Sequence, residues 1–215
     1  MKIISVNVSL PRTVFWKKRD VTTAIFKEPV QGPVMARTLD LDGDRQADLT
    51  VHGGPEKAIY AYPSGHYSFW RSELPGMDLP WGMFGENLTI EGLREEETHI
   101  GDRFRMGAAV LMATQPRIPC YKLAVKFGRD DILKRFLQSE KSGVYFSVLE
   151  EGFIQIGDTI EKIHQDESEI SVTDILRLYA SRPGDVSLLR RVVQLKELPQ
   201  GWREYFGQRL EALEQ

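Results

Sequence analysis

The chain has 215 residues, 41% of them hydrophobic and 27% charged, which is enough to bury one full core with a small appendage and does not fit a disordered chain. Its 28 basic and 31 acidic side chains give a formal charge of -3, so the molecule as a whole is not suited to wrap nucleic acid or an anionic membrane, and any anion site must be local. The longest uninterrupted apolar run, Ala108–Ala113, falls far short of the roughly 20 residues that span a bilayer. No small-residue cleavage site follows the strand-like Met1–Val8, and a cytoplasmic location is expected.

Up to about Gln165, short runs punctuated by glycine and proline predict a closed or strongly curved β-structure. Strands are expected at Ile3–Val8, Thr23–Phe26, Val34–Thr38, Lys57–Tyr60, Asn87–Ile90, Arg103–Met106, Ala109–Thr114, Val144–Leu149 and Thr159–Ile163, with Gly107 turning a hairpin. Pro63 is placed to open a helix running to about Glu73. Asp130 is placed to cap another through Ser139, with Ile132, Leu133, Phe136 and Leu137 on one face.

After the polar stretch His164–Glu169 the apolar period becomes helical and stays so, which divides the chain into a β-domain, 1–168, and a helical unit, 169–215. Ser171 and Asp174 have the spacing of a capping box for a helix to about Ala180, ended by Pro183 and Gly184. Asp185 caps a second helix with Leu188, Leu189, Val192 and Val193. Pro199 begins a third, on which Trp202, Tyr205, Phe206, Leu210 and Leu213 form an apolar stripe. Three short helices have too little core to be stable alone and are expected to dock on the β-domain.

The sole cysteine, Cys120, excludes an internal disulfide, a Cys-rich zinc site and an iron–sulfur cluster held by this chain alone. It stands in Gln115-Pro116-Arg117-Ile118-Pro119-Cys120-Tyr121-Lys122-Leu123, where two prolines stiffen the chain and two cations flank the thiol. Arg117, Lys122 and a helix starting near Pro119 would favour thiolate, the nucleophilic and metal-binding form. The other reading is a buried structural thiol. A soft metal would suit thiolate, but with one cysteine most of its ligands would have to come from an organic cofactor.

Two further segments carry polar groups suited to a ligand. In Val51-His52-Gly53-Gly54-Pro55-Glu56-Lys57 the glycines allow close backbone approach and an anion-binding nest, with Lys57 adding charge; the same pattern also serves as an ordinary turn. In Trp81-Gly82-Met83-Phe84-Gly85-Glu86-Asn87-Leu88-Thr89, one carboxylate and one amide stand at the mouth of a strand. Asn87 either reads a heterocycle edge or caps its own turn. Lys17-Lys18-Arg19 is a phosphate contact or a solvated loop. Asp42, Asp44 and Asp48 lack the spacing and terminal glutamate of a calcium loop. His66 reads as structural, and His99 and His164 form no zinc pair. There is no G-x-G-x-x-G, P-loop or G-x-S-x-G motif, so electrons for any redox step must arrive from another protein.

His52-Gly-Gly, Phe84-Gly-Glu-Asn-Leu and Gln115-Pro-Arg-Ile-Pro-Cys120-Tyr-Lys-Leu, in this order, resemble the MOSC domain family. With Gly101-Asp102-x-Phe104 and the terminal helices, the whole chain resembles that family's bacterial branch that protects against hydroxylaminopurine base analogues. The resemblance implies a mainly β fold, a β-barrel core with peripheral helices plus a small C-terminal three-helix bundle. It also implies a molybdenum cofactor, a pterin whose dithiolene sulfurs hold the metal, with Cys120 as the protein's metal ligand; pyridoxal phosphate is not expected. The implied reaction is reduction of an N-hydroxylated purine to its amine, with electrons from an external flavoprotein reductase.

On this resemblance His52, Gly53 and Gly54 form the cofactor-side wall. Lys57, Arg117 and Lys122 are anion partners, and Asn87 and Gln115 further cofactor contacts. Proton relay falls to His52, Glu86 or Tyr121. The rival within the family is a sulfur carrier using a Cys120 persulfide. A nucleic-acid role for the helices is not expected, since residues 170–215 hold seven Arg or Lys against six Asp or Glu; the helices instead close the site, dock the donor or build a homodimer.

Overall fold

The computed structural model describes residues 1–47, 53–181 and 184–215. The chain opens with β1 (Lys2–Val8), the hairpin β2 (Arg12–Trp16) and β3 (Arg19–Thr23), β4 (Glu28–Pro29) and β5 (Val34–Ala36). A 3-10 turn at Pro55–Lys57 leads into β6 (Ile59–Pro63), α1 (His66–Glu73) and β7 (Leu88–Glu91). The hairpin β8 (Arg103–Met106) and β9 (Ala109–Pro116) is followed by α2 (Tyr121–Phe127) and α3 (Ile132–Gln138), then β10 (Val144–Glu150), β11 (Gly152–Ile154) and β12 (Ile160–His164). Helices α4 (Val172–Ala180), α5 (Val186–Gln194) and α6 (Gln200–Glu214) complete the chain. No helix among the described residues is long and apolar enough to cross a membrane.

Eight strands make one sheet in the order β12-β8-β9-β10-β6-β7-β1-β4. Its pairs are antiparallel except β6 with β7, where Ala61 lies opposite Leu88. The ladder is open, in contrast to the closed barrel expected. The outer edge of β1 is divided, with Asn7 and Val8 facing β4, while Lys2 meets Thr159 through an isolated bridge. The Ile3 N–H donates to the Asp158 carbonyl at 3.0 Å and the Ile160 N–H to that of Met1 at 2.9 Å. The sheet thus curls until its first strand meets the approach to its last, over too few residues to form a ladder.

Local chemistry explains where expectation and structure agree. Gly107 turns β8 into β9 at φ 56, and a Cβ there would lie 2.6 Å from the Phe153 carbonyl oxygen. Ser171 and Asp174 form the capping box, and Asp185 accepts from the Leu188 N–H at 3.1 Å. Pro183, expected to end α4, lies outside the described residues.

Other expectations need correction. Pro63 ends β6, opposite Ile90, and α1 starts at His66. Asp130 caps no helix: α3 follows Asp131, and the Asp130 carboxylate instead takes the ammonium of Lys17. The expected strand Thr23–Phe26 is only the end of β3, and its partner β2 was not expected at all. Lys17 and Lys18, at φ 48 and 64, form the two-residue turn between β2 and β3, a left-handed geometry in which glycine or asparagine is the usual signal.

Two apolar clusters hold the fold. The larger joins sheet residues such as Ile3, Phe104 and Phe146 to Ile175, Leu189, Val192 and Phe206 of α4 to α6, so the helices dock as expected on one continuous core. The smaller is aromatic: Tyr62, Tyr67, Trp70, Phe84, Phe127 and Phe136 lock α1 to α3 against β6.

Candidate functional site

Where β9 leaves the sheet, Pro116 is still paired, opposite Val144, and the chain then runs extended to Cys120 at the start of α2. The Cys120 carbonyl accepts from the Leu123 N–H at 2.9 Å, and the thiol plays no part in capping the helix. Half-buried, it lines an open cleft of about 600 Å³, the open solvent at its mouth included, together with Arg117, Lys122, Lys27 and Lys57. Tyr60 of β6 and Tyr145 of β10 form part of the same wall.

Each cation is held by a different device. Arg117 is buried, donates to the Phe84 carbonyl and lies 4.8 Å above the centre of the Tyr60 ring. Burial opposes its charge, but Tyr60, Tyr145 and Cys120 more than offset that, so its pKa is raised. Lys27 is also buried and bonds both oxygens of the buried Asp44 carboxylate. Burial lowers the Lys27 pKa against the pull of Asp44, with Arg117 adding repulsion. Asp44 also accepts from the Ser9 N–H and the Asn87 Nδ2, each at 2.8 Å. This carboxylate is fully engaged, and the cleft presents a surplus of positive charge.

Glycine makes that wall possible. Gly82 and Gly85 lie at φ 83 and 75, where a Cβ would stand 2.9 Å from the Lys27 carbonyl oxygen and 2.8 Å from the Ile25 Cγ1 respectively. Only without side chains can the 82–86 loop press against residues 25–27 and turn Lys27 into the cleft.

The expected site residues separate into three groups. Gly53, Lys57, Arg117, Cys120 and Lys122 line one cleft together. Asn87 lines it too, but its amide serves the wall: Oδ1 accepts from the Tyr60 N–H at 3.1 Å, and Nδ2 donates to Asp44 and to the Asn7 carbonyl. Gly54, at φ 89, precedes the 3-10 turn and is not part of the lining.

The other expected residues that the structure describes lie elsewhere. Glu86 is 0% exposed, and its carboxylate accepts from the Tyr67 hydroxyl, the Gly82 and Phe84 N–H groups and the Thr89 hydroxyl. It ties its own loop together behind the wall and is not part of the cleft lining. Tyr121 is 44% exposed, under the guanidinium of Arg19 and outside the cleft. Gln115 is buried toward a second cleft, accepting from the Trp202 Nε1 at 2.7 Å. His52 lies outside the described residues. Tyr60 and Tyr145 were missed because strand register brings them together, and Lys27 because it is the packing of the glycine loop against residues 25–27 that sets it in the wall.

A sequence profile of the MOSC domain matches residues 48–161, and one of the YiiM-like 3-alpha helix domain matches residues 170–213. The chain belongs to the MOSC domain family and carries the YiiM-like helical extension. The uncharacterized protein YflK of Bacillus subtilis (strain 168) is 38% identical over 211 residues, which is 98% of this chain and 95% of that protein. The crystal structure of YiiM from Geobacillus stearothermophilus matches with a TM-score of 0.82 at 34% identity, covering 97% of this chain and 98% of that one. A protein of Gibberella moniliformis (strain M3125 / FGSC 7600) named "Reductase" is 35% identical over 179 residues, 82% of this chain but 32% of that protein.

Proposed function

We propose that this protein is a molybdenum-cofactor-dependent reductase of N-hydroxylated bases that converts 6-N-hydroxylaminopurine to adenine, with electrons from a separate flavoprotein reductase. The observation that carries this reading is the Cys120 thiol in a cleft shared with Arg117, Lys27, Lys57 and Lys122. Membership of the MOSC family and the relative named as a reductase agree with it. Among the described residues no three His, Cys, Asp or Glu side chains gather to hold a metal, so a metal beside Cys120 needs ligands that arrive with it. A pterin dithiolene provides them, and its phosphate suits a cationic wall. The donor set of the cleft therefore fits the group.

When bound, the cofactor supplies two-electron reduction of an N–O bond, in which hydroxylamine, two protons and two electrons give amine and water. Cys120 supplies the protein sulfur. Lys57, Arg117 and Lys122 hold the anionic end, and the burial of Arg117 and Lys122 strengthens that attraction beyond what surface cations give. Arg117 needs no reorganisation to do so, because the Phe84 carbonyl and the Tyr60 ring already fix its plane. Lys27, tied to Asp44, keeps one cation at the back of the cleft in place.

Turnover of 6-N-hydroxylaminopurine with a chemical reductant is the test. Wild-type protein loaded with cofactor forms adenine and the Cys120→Ala variant does not. Equal turnover in both contradicts the reading, and a protein that carries persulfide on Cys120 without reducing the base supports the sulfur-carrier alternative.

A further inference from the structure

A second cleft, of about 820 Å³ with the open solvent at its mouth included, lies between the β-domain and the C-terminal helices. Gly53 and Lys57 line both clefts, so the two are contiguous. The end of β9 and the segment after it divide them, with Arg117 and Cys120 lining the cationic side and Gln115 and Ile118 the other. Three aromatic rings from the helices, Tyr179, Trp202 and Tyr205, wall this second cleft.

The stripe on α6 that the sequence presents as core is therefore split. Phe206 is sealed, while Trp202 and Tyr205, both half-buried, face the cleft. The rings are set before any ligand arrives. The Trp202 indole donates to the Gln115 Oε1 at 2.7 Å and stacks on Phe206 at 5.5 Å. Tyr179 stands edge-on to Trp202, with centroids 5.5 Å apart and planes at 74°. Glu56, Lys57 and Gln115 line the same cleft and set polar groups beside the rings. Flat rings with polar rims, fixed beside a reactive cleft, match a planar heteroaromatic molecule with hydrogen-bonding edges.

From this arrangement we infer that the helical unit is the reader of the substrate's base: the purine ring of an N-hydroxylated substrate lies against Trp202, Tyr179 and Tyr205 while its N–O group extends past Lys57 toward Cys120. The inference rests on the reductase reading for the direction in which the substrate points, and on the cleft itself for the binding of a purine.

Two measurements on the full chain keep those apart. Equilibrium binding of adenine needs no turnover. Tyr205→Leu weakens it about tenfold, as loss of one base-stacking ring does, and Tyr205→Phe restores it. With cofactor-loaded protein, Tyr205→Leu raises KM for 6-N-hydroxylaminopurine by a similar factor, leaves kcat unchanged and leaves KM for the ring-free N-hydroxyurea unchanged. Adenine binding without any reductase activity supports this cleft while removing the reductase reading. Wild-type protein that fails to bind adenine overturns the inference. So does adenine affinity, or KM, that Tyr205→Leu does not change, and so does an equal rise in KM for both substrates.

Discussion

The two clefts that meet at Lys57 are built in opposite ways. On the Cys120 side, charge is brought in by buried groups from distant parts of the chain, each compensated by its own partner: Asp44 for Lys27, the Phe84 carbonyl and the Tyr60 ring for Arg117. On the Trp202 side, the wall comes from two helices that pack onto the sheet, and its polar anchoring is the bond to Gln115. Damage should therefore spread differently. Changes on the charged side disturb the fold because compensated charges lose their partners, whereas changes on the aromatic side should alter recognition with little loss of stability.

The largest effect that would break this contrast, if absent, is at Lys27. Lys27→Met leaves Asp44 as a buried carboxylate without its cation and should cost about 3–5 kcal/mol in denaturant unfolding. Adding Asp44→Asn recovers only part of this, because that carboxylate also holds Ser9 and Asn87. A cost near zero for Lys27→Met would mean that the pair is not sealed.

Arg117→Met comes next. It strands the Phe84 carbonyl at a cost of about 1–3 kcal/mol and, on the proposed reading, also lowers cofactor retention, measured as bound pterin. Retention equal to wild type would remove Arg117 from the cofactor site.

Glu86→Gln sharpens the distinction between wall and site. The amide places its own donor against N–H groups that the carboxylate now accepts, at a cost of about 1–3 kcal/mol, with pterin content per folded molecule unchanged. Burial pushes the Glu86 carboxyl upward against the pull of its donors, so the folded protein keeps that proton to higher pH than the unfolded chain. Its contribution is full below the ordinary value of 4.5 and is lost as pH rises through the raised one. The stability gap between wild type and Glu86→Gln should therefore narrow from acid to neutral pH, and a gap that widens would contradict the assignment.

The smallest change in stability belongs to Lys57→Met, half-buried where the clefts join, at about 0.5 kcal/mol or less. It should still weaken retention of the pterin.

How much of this was legible in the sequence follows from how local each signal is. Arg117, Cys120 and Lys122 lie within six positions, so their association could be read directly. The helices α4 and α5 declare themselves through Ser171, Asp174 and Asp185 because capping is a contact over three residues. Lys27, Tyr60 and Tyr145 could not be read, since only the pairing of β6 with β10, Tyr60 opposite Tyr145, brings two of them together. Glu86 misled for a physical reason. A carboxylate among glycines resembles a group at an opening, whereas Gly82 and Gly85 bend the chain around it and bury it. The β2–β3 hairpin was invisible because its turn is Lys17-Lys18, with no residue that announces left-handed backbone. Likewise the stripe of α6 predicts burial correctly for Phe206, but periodicity alone does not show that the neighbouring Trp202 and Tyr205 line a cleft.

The central claim, that the Cys120 sulfur holds a metal borne by a pterin in this cleft, is tested most directly by metal analysis of wild-type and Cys120→Ala protein purified from cells that make the cofactor. The account predicts molybdenum near one atom per chain in the wild type, on the order expected for a single metal-binding thiolate, and a loss of most of it in the variant. Equal molybdenum in the two proteins, or none in the wild type, would contradict it.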